Sequence, residues 1–194
     1  MAQGRLVILN GTSSAGKTTL ATSFRDGRAH RGDYWLLTGI DDAIAKLPPL
    51  WIDLGPPTQP GARAVDGMYW GVEDGVRRLR FGPVMLGLVH VYHQTVAAAV
   101  RSGINVIVDD VVVDRAVFES WQSALDGLIA EWVAVRCPKD VAEQREHARG
   151  DRAKGLVAAQ YDVVHRWIRY SFEIDTGVLD RAAALDALCR GLGI

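Results

Sequence analysis

The sequence predicts an α/β protein, a three-layer fold in which helices cover both faces of a five-stranded, mainly parallel sheet. Three observations carry this. Short apolar, β-branched runs recur at 5–10, 34–38, 104–109, 129–136 and 172–175. They are continuous, not alternating, as expected of strands buried on both faces. Between them lie segments of helical periodicity, one beginning at Lys17 and others at 83–101, 115–125, 139–149 and 178–188. Strands alternating with helices build parallel sheets. A chain of 194 residues has the length of one domain, so 1–194 is expected to fold as a single unit.

Composition narrows the function classes. The chain is 48% hydrophobic and 23% charged, with a formal net charge of -1. A nucleic-acid partner is not expected, because such proteins carry a basic excess or stripe. Any anionic ligand must therefore be held by local features. Cys137 and Cys189 are far apart and have no metal-ligand spacing; Cys137 closes an apolar run and reads as a small buried side chain. The five histidines show no metal spacing either. The N-terminus enters a strand directly, without the pattern of a signal peptide. The apolar stretch 84–100 is interrupted by His90, His93 and Gln94, so no membrane span or membrane partner is expected. These features lead to the expectation of a cytoplasmic protein; oligomeric state is not readable.

One stretch breaks the alternation. Residues 48–83, PPLWIDLGPPTQPGARAVDGMYWGVEDGVRRLRFGP, hold most of the chain's prolines together with two tryptophans. An insertion of this length in a compact domain is commonly a lid or binding loop, and here it is expected to help form a binding pocket. The alternative is a surface hairpin with no ligand role.

The strongest motif is Gly11-Thr12-Ser13-Ser14-Ala15-Gly16-Lys17-Thr18, a full match to G-x-x-x-x-G-K-[ST] between the first strand and a helix. The glycines let backbone N–H groups curl around a β-phosphate, and the helix N-terminus adds its positive dipole end. Lys17 is placed to reach the β- and γ-phosphates, and the Thr18 hydroxyl to ligate Mg²⁺. This predicts a P-loop NTPase-type fold that uses ATP and Mg²⁺. Asp109-Asp110 closes the strand at 104–109, where a carboxylate binds the magnesium shell or orients Thr18. Neighbouring strand residues point to opposite faces, so one of the pair serves the metal; Asp109 is assigned that role and Asp110 a structural one.

Arg145, Arg149 and Arg152 lie at i, i+4 and i+7 beside Gly150. An arginine stripe next to a glycine hinge suits a lid, about 145–157, that closes over a transferring phosphate. The alternative is a solvated helix face paired with Glu143, Glu146 and Asp151. Asp41 and Asp42 follow the second strand, on the edge of a parallel sheet where ligands bind. Either is a candidate base for an acceptor hydroxyl, and either could instead cap the helix that follows.

The stretches ILNGTSSAGKTT, Gly39-Ile40-Asp41, VIVDDV, VRCPKDVAEQREHARGDRAKGLVAAQYDVVH and EIDT together resemble the chloramphenicol phosphotransferase family from Leu6 to Thr176. The resemblance implies a five-stranded P-loop kinase core and an ATP-dependent O-phosphotransferase. It also implies Asp41 as the base, leaving Asp42 as the helix cap. It makes a small-molecule hydroxyl the acceptor, with chloramphenicol's primary hydroxyl leading and antibiotic resistance as the role. The match is weak from 48 to about 81. Asp42 stands where a small polar residue is expected, and His147 replaces a small hydroxyl residue. Two other readings stay open. One is a nucleotide or small-metabolite kinase that uses Arg63, Arg77, Arg78 and Arg80 to bind an anionic acceptor. The other is a regulatory protein that binds nucleotide and hydrolyses it slowly.

Overall fold

The computed structural model describes residues 2–55, 61, 63–73, 75–149 and 153–194. In chain order the elements are β1 (Leu6–Asn10), α1 (Lys17–Ala29), β2 (Trp35–Gly39), α2 (Ile40–Ile44), β3 (Ile52–Asp53), β4 (Met68–Glu73), β5 (Val76–Phe81) and α3 (Pro83–Arg101). They continue as β6 (Asn105–Asp110), α4 (Arg115–Ala124), β7 (Ala130–Arg136), α5 (Lys139–Ala148), α6 (Leu156–Gln160), β8 (Phe172–Asp175) and α7 (Arg181–Gly191).

Five strands form one sheet in the order β2-β6-β1-β7-β8, and every neighbouring pair runs parallel. The sequence expectation of an α/β three-layer fold is met, with each expected strand within a residue of its observed bounds. Every residue of β1 is buried, because this central strand has helices above and below. Leu6 and Ile8 pack on one side with α3 and α4, while Val7 and Leu9 pack on the other with α1 and α7. This two-residue alternation divides the core into two layers.

Helix α3 has 19 residues and a mean hydropathy of 1.2, long and apolar enough by those measures to cross a membrane. The three polar residues that interrupt it do not lower its hydropathy below that level, contrary to the sequence expectation. Its Met85, Val89, Tyr92, Val96 and Val100 are buried in the core layer, the i, i+4, i+7 spacing of an inner helix face.

The region 48–83 is structured where it is described. It contributes a small second sheet, β3-β4-β5, with β4 and β5 antiparallel and Met68 opposite Phe81. Met68, Trp70, Leu79 and Phe81 face the main core. Alternation of these with Tyr69, Gly71, Arg78 and Arg80 is the period of a strand with one buried face. The insertion is thus packed wall, and neither bare loop nor detached hairpin.

Candidate active site

The loop 11–18 leaves the end of β1 and enters α1. Asn10, fully buried, anchors its start. The Asn10 Nδ2 amide donates to the Val164 carbonyl at 2.7 Å and to the Tyr170 hydroxyl at 2.6 Å, and Oδ1 accepts from the Val112 N–H at 2.9 Å. Gly16 has φ 87°, a left-handed turn that aims the first α1 amides into the loop. Ser14 takes φ 60° without being glycine, and such backbone strain collects at ligand sites. The Ser13 and Ser14 hydroxyls are buried with no hydrogen-bond partner among the described residues. Orphaned polar groups in a concave loop fit the oxygens of a phosphate chain.

Lys17 is buried, and its Nζ donates to the Thr12 carbonyl at 2.8 Å and lies 3.6 Å from Asp109 Oδ1. The Thr18 hydroxyl donates to Asp109 Oδ2 at 2.5 Å. The fork between Asp109 and Asp110 follows the pleat of β6. Asp109 turns toward the loop, and Asp110 is fully buried beneath it, accepting hydrogen bonds from the Trp121 indole N–H and from the Val111 N–H at 2.7 Å. Burial raises the Asp110 carboxyl to about 6, against the lowering effect of those hydrogen bonds. No cluster of three or more metal-ligating His, Cys, Asp or Glu side chains occurs among the described residues. A cation here would rest on Thr18 and Asp109 and take its remaining oxygens from phosphate and water, an arrangement that suits Mg²⁺ and needs no all-protein cage.

Asp41 and Asp42 also separate. Asp42 Oδ2 accepts from the Gly39 N–H at 3.0 Å and the Thr38 hydroxyl at 2.8 Å, closing the start of α2. Asp41 is exposed and borders two cavities. One, about 310 Å³, is the polar cleft over Lys17, Thr18 and Asp109. The other, about 400 Å³, is apolar, lined by Ile44, Leu54, Met68, Leu79, Phe81 and Leu156 among others. Ser13, Ile40, Asp41 and Val111 are common to both. Gly39 permits this closeness, since a Cβ there would lie 2.7 Å from the Asp109 carbonyl oxygen.

A third cavity, about 480 Å³, lies on the far side of the loop between α1, α5 and the turn after β8. Its walls include Gly16, Thr19, Arg145, Arg149, Thr176 and Arg181. Here the arginine stripe divides. The Arg145 Nη2 donates to the Thr176 carbonyl at 2.8 Å and Nη1 approaches Cys137 Sγ at 3.4 Å, so its guanidinium is directed at this turn and not over the Thr18 cleft. The Thr176 hydroxyl in turn donates to the Ala15 carbonyl at 2.6 Å. Arg149 borders both this cavity and the polar cleft. Arg152 lies outside the described residues.

Sequence reasoning missed three residues of this neighbourhood. Thr176 was visible only as the end of EIDT, and Arg181 followed an unremarked helix cap at Asp180. Gln160 lay within the stretch VRCPKDVAEQREHARGDRAKGLVAAQYDVVH without being given a role, yet its side chain meets the phosphate loop. The insertion arginines do not line the apolar cavity itself, though Arg78 and Arg80 wall a smaller cavity beside it. Arg77 lies 4.4 Å from the Trp70 ring centre, and Arg80 pairs with Glu73 at 2.9 Å. None of the four appears in the wall of the apolar cavity.

A parallel sheet with a phosphate loop after its central strand, lysine and threonine in place, and a carboxylate on the adjacent strand define a P-loop kinase. The chain belongs to the chloramphenicol phosphotransferase-like protein family, whose model matches residues 4–188. It is 33% identical over 181 residues to the protein named "Putative O-phosphotransferase" of Mycobacterium tuberculosis, covering 91% of this chain and 76% of the relative. Its fold is similar to that of a sugar kinase from Janibacter sp. HTCC2649 (TM-score 0.69, 15% identity, 98% and 95% of the two chains covered). It is similar also to the Mycobacterium tuberculosis APS kinase CysC in complex with AMPPNP and APS (TM-score 0.66, 12% identity, both chains fully covered at 100%).

Proposed function

We propose that this kinase transfers the γ-phosphoryl group of Mg²⁺-ATP to a hydroxyl of an uncharged, largely apolar small molecule, with chloramphenicol as the leading acceptor. The carrying observation is the position of Asp41 at the junction of the polar cleft and the apolar cavity. A hydroxyl presented there meets a carboxylate able to take its proton on one side and the phosphate loop on the other. Phosphoryl transfer asks mainly for such positioning and for charge neutralisation.

In this reading the loop 11–18 and Lys17 hold the β- and γ-phosphates, and Thr18 and Asp109 hold Mg²⁺, which spreads the charge of the transferring group. Asp41 accepts the acceptor proton. Arg149 covers the γ-phosphate. Arg145 has a different part, fixing the turn at Thr176 that walls the cavity of about 480 Å³, where the base and ribose of the nucleotide fit.

A second reading has one observation in its favour. A side cavity of about 250 Å³ shares Leu79, Val113 and Gln160 with the apolar cavity and is walled by Arg78, Arg80, Arg115 and Arg166 together with Glu73 and Asp114. An acceptor with an apolar body and an anionic end would fill both. The test is ADP release from Mg²⁺-ATP with chloramphenicol, beside a panel of neutral and carboxylate-bearing alcohols. Chloramphenicol-dependent release with a phosphorylated product supports the first reading. Release only with anionic alcohols supports the second, and release with none of them while ATP binds sinks both.

A further inference from the structure

The helix α6 is five residues long, too short to hold itself in place, and three separate parts of the molecule grip it. At its start, the buried Glu146 of α5 accepts from the Gly155 N–H at 2.8 Å and the Val157 N–H at 2.9 Å. On its side, the Arg78 Nη1 of β5 donates to the Ala159 carbonyl at 3.1 Å. At its end, the buried Gln160 Oε1 accepts from the Ser13 N–H of the phosphate loop at 2.7 Å. Leu156 and Gln160 of the same helix form part of the wall of the apolar cavity. One turn of helix therefore touches the lid helix, the phosphate loop, the insertion sheet and the acceptor cavity.

Isolated single turns of helix are unstable, because nucleation fixes several residues for one hydrogen bond. The position of α6 is set by its three grips and by the burial of Leu156, Val157 and Ala159 in the core, and its grip on the loop is a single side-chain bond. Ser13 is also a residue whose hydroxyl is buried without a partner, so phosphate seating in the loop changes what surrounds it. We propose that Gln160 is a positioning residue that makes the two substrate sites interdependent. Phosphates on the loop 11–18 fix Ser13, Ser13 holds Gln160, and Gln160 holds the α6 wall of the acceptor cavity. By linkage, an acceptor pressed on α6 strengthens nucleotide binding by the same factor. This rests on the assignment of the apolar cavity to the acceptor.

The experiment is hydrogen exchange over 153–164, with and without saturating Mg²⁺-AMPPNP, in three forms of the whole chain. Gln160→Glu keeps an oxygen for the Ser13 N–H whether its carboxyl is ionised or protonated. Gln160→Leu removes that oxygen at similar volume. Nucleotide is expected to slow exchange over this segment by at least about fivefold, the lower end of ordinary coupling between sites, in the wild type and in Gln160→Glu. Gln160→Leu is expected to bind the analogue and show no slowing. Equal slowing in Gln160→Leu, or none in the nucleotide-bound wild type, overturns the proposal. If Gln160→Leu does not fold, Gln160→Asn withdraws the carbonyl by one methylene and is read the same way. Failure of the acceptor assignment is distinct: it abolishes turnover with neutral alcohols and leaves the exchange response intact.

Discussion

The Thr18 hydroxyl lies 2.5 Å from Asp109 Oδ2, and the same carboxylate is 3.6 Å from Lys17 through its other oxygen. The loop and β6 are thus joined at the place where Thr18 and Asp109 would hold a divalent cation, and Asp109 shares its charge with Lys17. Asp109→Asn removes that charge and keeps the shape. It is expected to lower turnover by about 10²-fold or more while the protein melts normally, since metal-stabilised charge contributes several kcal/mol to such transition states. Chelation of divalent cations should abolish turnover in the wild type. Turnover within about threefold of wild type in Asp109→Asn would remove this residue from the metal site.

Adjacent carboxylates with opposite partners make a paired test at 41 and 42. Asp42 is engaged with the Gly39 N–H and the Thr38 hydroxyl, so Asp42→Ala should cost roughly 1 kcal/mol of stability, as lost caps do, with turnover largely kept. Asp41→Asn should lower kcat by about 10²- to 10⁴-fold, the span of general-base contributions, and leave ATP affinity near normal. The check is kcat and nucleotide binding beside thermal melts of both variants. If the losses are reversed, the base is Asp42.

Arg145 and Arg149 should fail differently. Arg145 holds the Thr176 turn, and Thr176 holds Ala15 of the loop. Arg145→Ala should therefore raise the KM for ATP by about tenfold with a smaller effect on kcat, the pattern of lost ground-state binding. Arg149 borders the cleft over Thr18 as well; Arg149→Ala should lower kcat and kcat/KM together, the pattern of an interaction made in the transition state. Steady-state kinetics on both variants decide it, and matching defects would return both arginines to one role.

How much of this was legible depended on how local each signal was. The five strands were readable because parallel strands buried on both faces leave continuous apolar runs, and the loop 11–18 because phosphate binding fixes glycine, lysine and threonine at set intervals. That Asp109 and Asp110 face opposite sides of the sheet was readable from the pleat. The second sheet was not, because the Met68–Phe81 hairpin sits in an insertion whose prolines, all outside the hairpin, and glycines look like loop. The direction of Arg145 depends on Thr176, 31 residues away, and Gln160 on Ser13, 147 away. Nothing in the local pattern of either arginine or glutamine marks a partner at that distance.

The buried face of α3 gives a pH test of the fold itself. His93 is fully buried, stacked on Trp121 with ring centres 3.8 Å apart, its Nδ1 2.9 Å from the Ser120 hydroxyl. Its Nε2 has no hydrogen-bond partner among the described residues and lies 3.9 Å from Asp110. Burial, with a smaller contribution from His90, lowers the imidazole from 6.5 to about 3. A neutral buried histidine takes up its proton far more readily once unfolded. The stability it permits is complete above about pH 6.5 and is lost as pH falls toward about 3. His165, lowered to about 4 mainly by burial, acts in the same direction. Asp110 beside His93, raised to about 6, acts in the opposite direction and stabilises the fold as it protonates, so urea melts at steps from pH 7.5 to 4 isolate His93 by comparing the wild type with a variant. His93→Phe keeps a ring against Trp121 and removes the proton site, so its stability should fall less steeply over that range. Equal slopes in the two proteins would mean that folding leaves the proton affinity of His93 unchanged, against its burial.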